Sequence, residues 1–156
     1  MTTINPKHYT THSSGVEAIH LTRLLDFCLG NCVKYVWRYS TTNRKDDLLK
    51  ALRYTEFAME LHTVKTRGAR RGSGAVLALP QVIPAAADAL RGYISQVLQT
   101  EPQDNPSLLG VVLLLLDKAL ESYVLGYLTW DGAHREATRA IQPKLTDYCS
   151  ALPVAR

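Results

Sequence analysis

The 156 residues contain three cysteines, two tryptophans, two phenylalanines and two methionines, and no uninterrupted apolar stretch is long. The longest, Leu108–Leu116, is nine residues with Gly110 inside it. A membrane span needs about 20, so this run is expected to be a buried helix and no membrane role is expected. Three cysteines, Cys28, Cys32 and Cys149, make an odd number with no dense disulfide framework, which points to a reduced, intracellular setting. The amino terminus, MTTINPKHYTT, lacks the basic-then-apolar pattern of a secretory signal. The expected location is therefore cytoplasmic.

Other absences narrow the chemistry. No G-x-x-x-x-G-K-[ST] occurs, and Gly68, Gly72 and Gly74 do not form a phosphate loop. Cys28 and Cys32 stand one helical turn apart without a second ligand pair, and His12, His20, His62 and His134 form no ligand-like group. No metal and no cofactor are expected. Neither Cys nor Ser has a recognisable His/Asp partner, so nucleophilic hydrolysis has no support. No strand-period alternation of useful length and no internal repeat is visible, nor any DNA-reading motif.

What is present is uneven charge. Residues 1–72 carry twelve Lys/Arg against six Asp/Glu, a net of +6, whereas residues 73–156 carry six against eight, a net of −2. Such asymmetry suits an anionic ligand on the first half. With 46% hydrophobic residues the chain can build a core.

The periodicity predicts an all-α bundle of about six helices. Ser14-Gly15-Val16-Glu17 reads as a capping box opening a short helix that runs to about Leu25. Asp26 can cap a second helix, with Leu29, Val33, Val36 and Trp37 at helical spacing. Asn43 can cap a third, about Arg44 to Lys65. Thr66–Gly74, TRGARRGSG, reads as a break, and Arg67, Arg70 and Arg71 in it are solubilising or available to nucleic-acid phosphates. Helices then follow from Pro84 to Gln99, from an Asn105-Pro106 start to about Leu128, and after Thr129-Trp130-Asp131-Gly132. Pro143 should kink or divide the last one. The organisation expected is a helical-hairpin core over 1–65, a Gly/Arg-rich linker over 66–79 and a three-helix apolar region over 80–156 for packing or oligomerisation. The very apolar Leu108–Leu128 must be covered nearly all round, which suggests a homo-oligomer.

On a helical wheel Asn31, Lys34, Tyr35 and Arg38 fall within roughly a third of a turn. Asp47, Lys50 and Tyr54 recur at i, i+3, i+7 on the next helix. Paired as a hairpin, these helices can converge cations and an amide on one volume, where Arg offers a planar donor fork and Lys a compact charge for phosphate oxygens. Tyr35 or Tyr54 could stack on a base, and Asp47 could orient Lys34 or Arg38 or accept from a sugar hydroxyl. Gly30 would let another backbone or a ligand come close. The plain alternative is that these are the solvated faces of two amphipathic helices.

Four blocks stand in order: Asn5-Pro6-Lys7-His8-Tyr9, Gly15-Val16-Glu17-Ala18-Ile19, Phe27 through Arg38 (FCLGNCVKYVWR) and Lys45 through Tyr54 (KDDLLKALRY). They resemble a family of small phage proteins whose pattern is roughly N-P-x-H-Y, G-[IV]-E-x-I, F-x-x-G-N-x-[IV]-K-Y-[ILV]-x-R and D-L-x-K-A-x-x-Y. The resemblance covers about residues 5–60 and none of the second half. That family includes a nucleotide kinase lacking the usual phosphate loop and a phage protein that triggers host abortive infection. The resemblance implies a nucleotide site in which Lys34, Arg38 and His8 are the candidate catalytic residues. Asn5, Tyr9, Asn31, Tyr35, Asp47, Lys50 and Tyr54 would bind the ligand, in a protein acting in the cytoplasm of an infected host cell. His8 could contact a phosphate or serve as an acid/base group, or simply pack under an arm.

Three functional expectations follow. The chain binds a nucleotide or other phosphate-bearing ligand, with nucleoside monophosphate kinase-like transfer as its enzymatic form. Alternatively it is an anti-defence protein that binds and disables a host effector such as a CRISPR complex, using residues 80–156. Or it sequesters a nucleotide signal without turnover.

Overall fold

The computed structural model describes residues 12–70 and 82–152. Among them are six helices and no strand: α1 (Ala18–Thr22), α2 (Phe27–Thr42), α3 (Lys45–Arg70), α4 (Val82–Leu98), α5 (Leu108–Val124) and α6 (Trp130–Ala151). Helices α2 and α3 form an antiparallel hairpin, α3 packs on α6, α6 on α5, and α5 returns to α2, which closes a four-helix ring. Helix α4 lies outside on α5, and α1 bridges α2 to α4.

One core serves both halves of the chain. Leu29, Val33, Val36 and Trp37 from α2 and Leu48 from α3 join Leu90 and Ile94 of α4, Leu113 and Leu116 of α5, and Ile141 and Leu145 of α6. Burying each such aliphatic side chain stabilises the fold by about 1.5–3 kcal/mol. Polar ties fix the helices against one another: Gln142 Nε2 donates to Thr55 Oγ1 at 3.2 Å between α6 and α3, and Arg91 pairs with Asp117 at 3.0 Å between α4 and α5.

Several helix boundaries differ from the sequence-based expectation, each for a local reason. Ser14 does not cap a helix. Its Oγ accepts the Val16 amide in a turn where Gly15 has φ +79°, so α1 starts only after Glu17, whose amide donates to His20 Nδ1 at 3.0 Å. Asn43 ends α2 rather than capping α3. Its φ of 53° places it in the left-handed region that Asn tolerates, and its amide donates to the Tyr39 carbonyl. The cap of α5 is Ser107, not Asn105, and its hydroxyl accepts the Gly110 amide at 3.2 Å. Glu101 takes both the amide and the hydroxyl of Ser107, which folds residues 101–107 over the start of α5. Gly110 leaves the space for that, since a Cβ there would stand 2.9 Å from Glu101 Cδ. Helix α5 stops at Val124, short of Leu128, where Gly126 turns at φ +87°. Pro143 does not divide α6, whose buried Ile141 and Leu145 hold the helix to the core on both sides of it. Helix α3 continues to Arg70, into the segment read as a linker, and residues 71–79 of that segment lie outside the described residues.

The apolar helix α5 is covered by its own chain: Leu109, Val112, Leu113, Leu116 and Leu120 are buried. Leu114, Val124, Leu125 and Tyr127 remain exposed. Cys28, Cys32 and Cys149 stand in buried positions. No helix of the described residues is long and apolar enough to cross a membrane.

Candidate functional site: the outer face of the helical hairpin

Asp26 starts the hairpin. Its Oδ1 accepts the Leu29 amide at 2.8 Å, satisfying a free donor of the first turn of α2. The helix then presents Phe27, Asn31, Lys34, Tyr35 and Arg38 in succession on the side away from Val33 and Val36, which are fully buried. Antiparallel α3 brings Asp47 beside Arg38 at the turn, and Lys50 and Tyr54 beside Tyr35 farther along.

The structure sorts the candidate residues into two groups. At the turn, the buried carboxylate of Asp47 accepts the Thr42 hydroxyl at 2.6 Å and stands 3.4 Å from Arg38 Nε. Thr42 is the last residue of α2 and Asp47 lies in the first turn of α3, where a negative charge also favours the helix dipole. This is a latch across the hairpin. The Asp47 carboxylate thus pairs with Arg38 across the turn while it takes the Thr42 hydroxyl.

In the middle of the hairpin, the Tyr35 and Tyr54 rings stack with centroids 5.9 Å apart and planes 15° apart. Lys34 Nζ lies 4.6 Å and Lys50 Nζ 5.4 Å from the Tyr35 centroid. Cations held over an aromatic face are attracted to its quadrupole and keep their N–H donors outward. Two ammonium groups and two phenol rings thus share one surface.

Asn31 sits a turn back toward the start of α2, its side-chain amide donating to the Phe27 carbonyl at 2.8 Å. It lines an open groove of about 240 Å³ together with Lys34, Gly30, Arg23, Ile19 and Phe27. That volume is below the range of a typical small-molecule pocket. Gly30 permits a close approach, and the partner is backbone: an added Cβ would be 2.9 Å from the Thr22 carbonyl oxygen. The glycine seats α1 on α2 and thereby shapes the groove.

Sequence reasoning missed Arg23, Ile19 and the exposed ring of Phe27. Phe27 heads the third motif block, and its place one residue after the cap, outside the apolar stripe, was the available signal. Arg23 ends a five-residue helix, too short for periodicity to place. Asn5, His8 and Tyr9 lie outside the described residues. Among the described residues no three His, Cys, Asp or Glu side chains are grouped to hold a metal ion.

No curated protein and no solved structure matches this chain. Residues 4–56, which contain every candidate site residue and end within α3, match the model of a family described as a protein of unknown function (DUF3310).

Proposed function

We propose that the outer face of α2 and α3 binds a nucleotide, with phosphate on Lys34 and Lys50 and the aromatic moiety beside Tyr35 and Tyr54. The single observation that supports this most is the placement of both ammonium groups over one tyrosine ring that itself stacks on a second. Nucleotides combine an anion with a flat aromatic system, and this surface combines the complements of both. The enzymatic form of the reading is kinase-like transfer of a phosphoryl group. Positioning and charge neutralisation dominate such chemistry, and here Lys34, Lys50 and Arg38 would supply the positive charge. The resemblance of the motif blocks to a phage family points the same way and sets the expected setting as an infected host cell.

The test is a thermal-shift and calorimetric screen of the purified protein against nucleoside mono-, di- and triphosphates and cyclic dinucleotides. A ligand at about a hundredfold over its Kd adds about 2.7 kcal/mol, which for a chain of this size raises Tm by about 5–10 °C. Lys34→Ala and Lys50→Ala should abolish the shift. Product formation from ATP and a nucleoside monophosphate then separates transfer from sequestration. No shift with any nucleotide overturns the reading.

A second reading, contact with a host protein such as a defence effector, draws on the α5–α6 corner. Leu125 is 61% and Tyr127 79% exposed there. Capture of a host effector by the full chain that Tyr127→Ser abolishes and Lys34→Ala spares would favour it.

A further inference from the structure

The ring cluster extends beyond the pair that one nucleotide needs. Tyr54 is its hub: besides stacking on Tyr35, it meets Phe27 edge-on at 5.9 Å and Phe57 at 5.7 Å. Phe27 is 73% exposed and Phe57 38%, although each could have been polar at a solvent-facing helical position. A third cation joins at this end, with the Arg53 guanidinium 4.1 Å from the Phe57 centroid while pairing with Glu56. Rings and cations therefore interleave along the hairpin. Phe27 to Arg38 alone covers about 16 Å at the helical rise.

An apolar partner would leave those cations desolvated and unpaired, and an acidic peptide would leave the open rings without counterparts. We propose that this face takes a single-stranded nucleic acid, with bases against Phe27 and Phe57 and phosphates on Lys34, Lys50 and Arg53. The inference rests on the reading of Lys34 and Lys50 as phosphate contacts and enlarges its ligand from one nucleotide to a strand. Aromatic platforms flanked by cations bind single strands with little sequence preference, because every base has a π-face.

The experiment is fluorescence anisotropy of labelled oligothymidylate with the full-length protein, against a duplex of equal length and polyglutamate as competitors. Phe27→Ala and Phe57→Ala are each expected to weaken single-strand binding by roughly 5- to 150-fold, the effect of losing one stacked base. Both residues are exposed, so the variants should keep the wild-type Tm. Three phosphate contacts predict about a 20-fold loss of affinity between 50 and 200 mM salt. The inference is overturned if single strands fail to bind while mononucleotides still shift Tm. It is also overturned if duplex or polyglutamate competes as well as a single strand, or if neither alanine variant changes affinity. Failure of mononucleotides and oligonucleotides alike removes the nucleotide reading itself. Retention of mononucleotide binding in Phe57→Ala together with loss of oligonucleotide binding supports the extension specifically.

Discussion

The Nε2 atom of His134 accepts a hydrogen bond from the backbone amide of Asp26 at 3.2 Å, joining residues 108 apart in the chain. The other ring nitrogen, Nδ1, lies 2.9 Å from the Trp130 carbonyl and donates to it. One nitrogen accepts while the other donates, so the imidazole held here is the neutral Nδ1–H tautomer. The ring ties the start of α2, and so the entrance of the candidate site, to α6. His134→Leu should preserve volume but leave the half-buried Asp26 amide without its acceptor. The expected loss is about 1–3 kcal/mol in urea unfolding, and an unchanged midpoint would show that the tie contributes nothing.

The Arg38–Asp47 latch calls for a coupling measurement. Asp47 is buried and Arg38 about one-third exposed, so removing the arginine leaves a carboxylate short of its charge partner. Arg38→Ala should destabilise by about 1–3 kcal/mol. A double-mutant cycle with Asp47→Asn should return a coupling of about 0.5 kcal/mol or more. Additive effects would mean that the Thr42 hydroxyl alone holds the carboxylate. For ligand work, Lys34→Ala and Lys50→Ala are the cleaner probes, because a fall in binding by Arg38→Ala mixes contact with stability.

Two helical glycines should respond in opposite senses to alanine. At Gly30 the new Cβ meets the Thr22 carbonyl at 2.9 Å, and that atom is backbone and cannot swing away. Gly30→Ala should cost about 1–3 kcal/mol from overpacking, despite a helix-propensity gain of up to about 1 kcal/mol. It should also weaken any ligand of the groove. At Gly92, inside α4, nothing lies within 4 Å of an added Cβ, so Gly92→Ala should stabilise by about 0.5–1 kcal/mol. Paired thermal melts of the two variants decide this, and equal shifts of the same sign would contradict the packing described.

Burial pushes the Cys32 thiol up to about 12, and Cys149 is also raised by burial. A thiol kept neutral in the fold but ionised in the unfolded chain favours unfolding in alkali. Stability is therefore intact below about pH 9 and is lost as pH climbs toward 12. The unfolding free energy of Cys32→Ala should fall less steeply over pH 8–11 than that of wild type. A thiol reagent at pH 8 should label all three cysteines only after denaturant is added. Parallel pH profiles, or prompt labelling of the folded protein, would contradict the buried placement of these thiols.

Local rules carried much of the architecture. The 3.6-residue spacing of Leu29, Val33 and Val36, the Asp26 cap, and the polar break after α2 were all readable because they involve residues within a turn or two of each other. The helix ends that were misplaced each depended on something farther away or on a backbone choice. Ser107 caps α5 because Glu101 reaches across six residues to hold it, and Asn43 turned left-handed instead of opening the next helix. Composition does not encode those choices.

For the candidate site, the sequence by itself determined the inventory. Lys34, Tyr35, Arg38, Lys50 and Tyr54 had to lie off the apolar stripes of two helices, since those stripes are what the core requires. Tertiary structure decided the partnerships. The register between α2 and α3 placed Arg38 on Asp47 and gathered Lys34 and Lys50 around Tyr35, and it made Tyr54 the hub of four rings. The seating of α1 through Gly30 created the groove that Arg23 and Phe27 border. Periodicity specifies which way a side chain points from its own helix, but distances between helices follow from how the whole core packs.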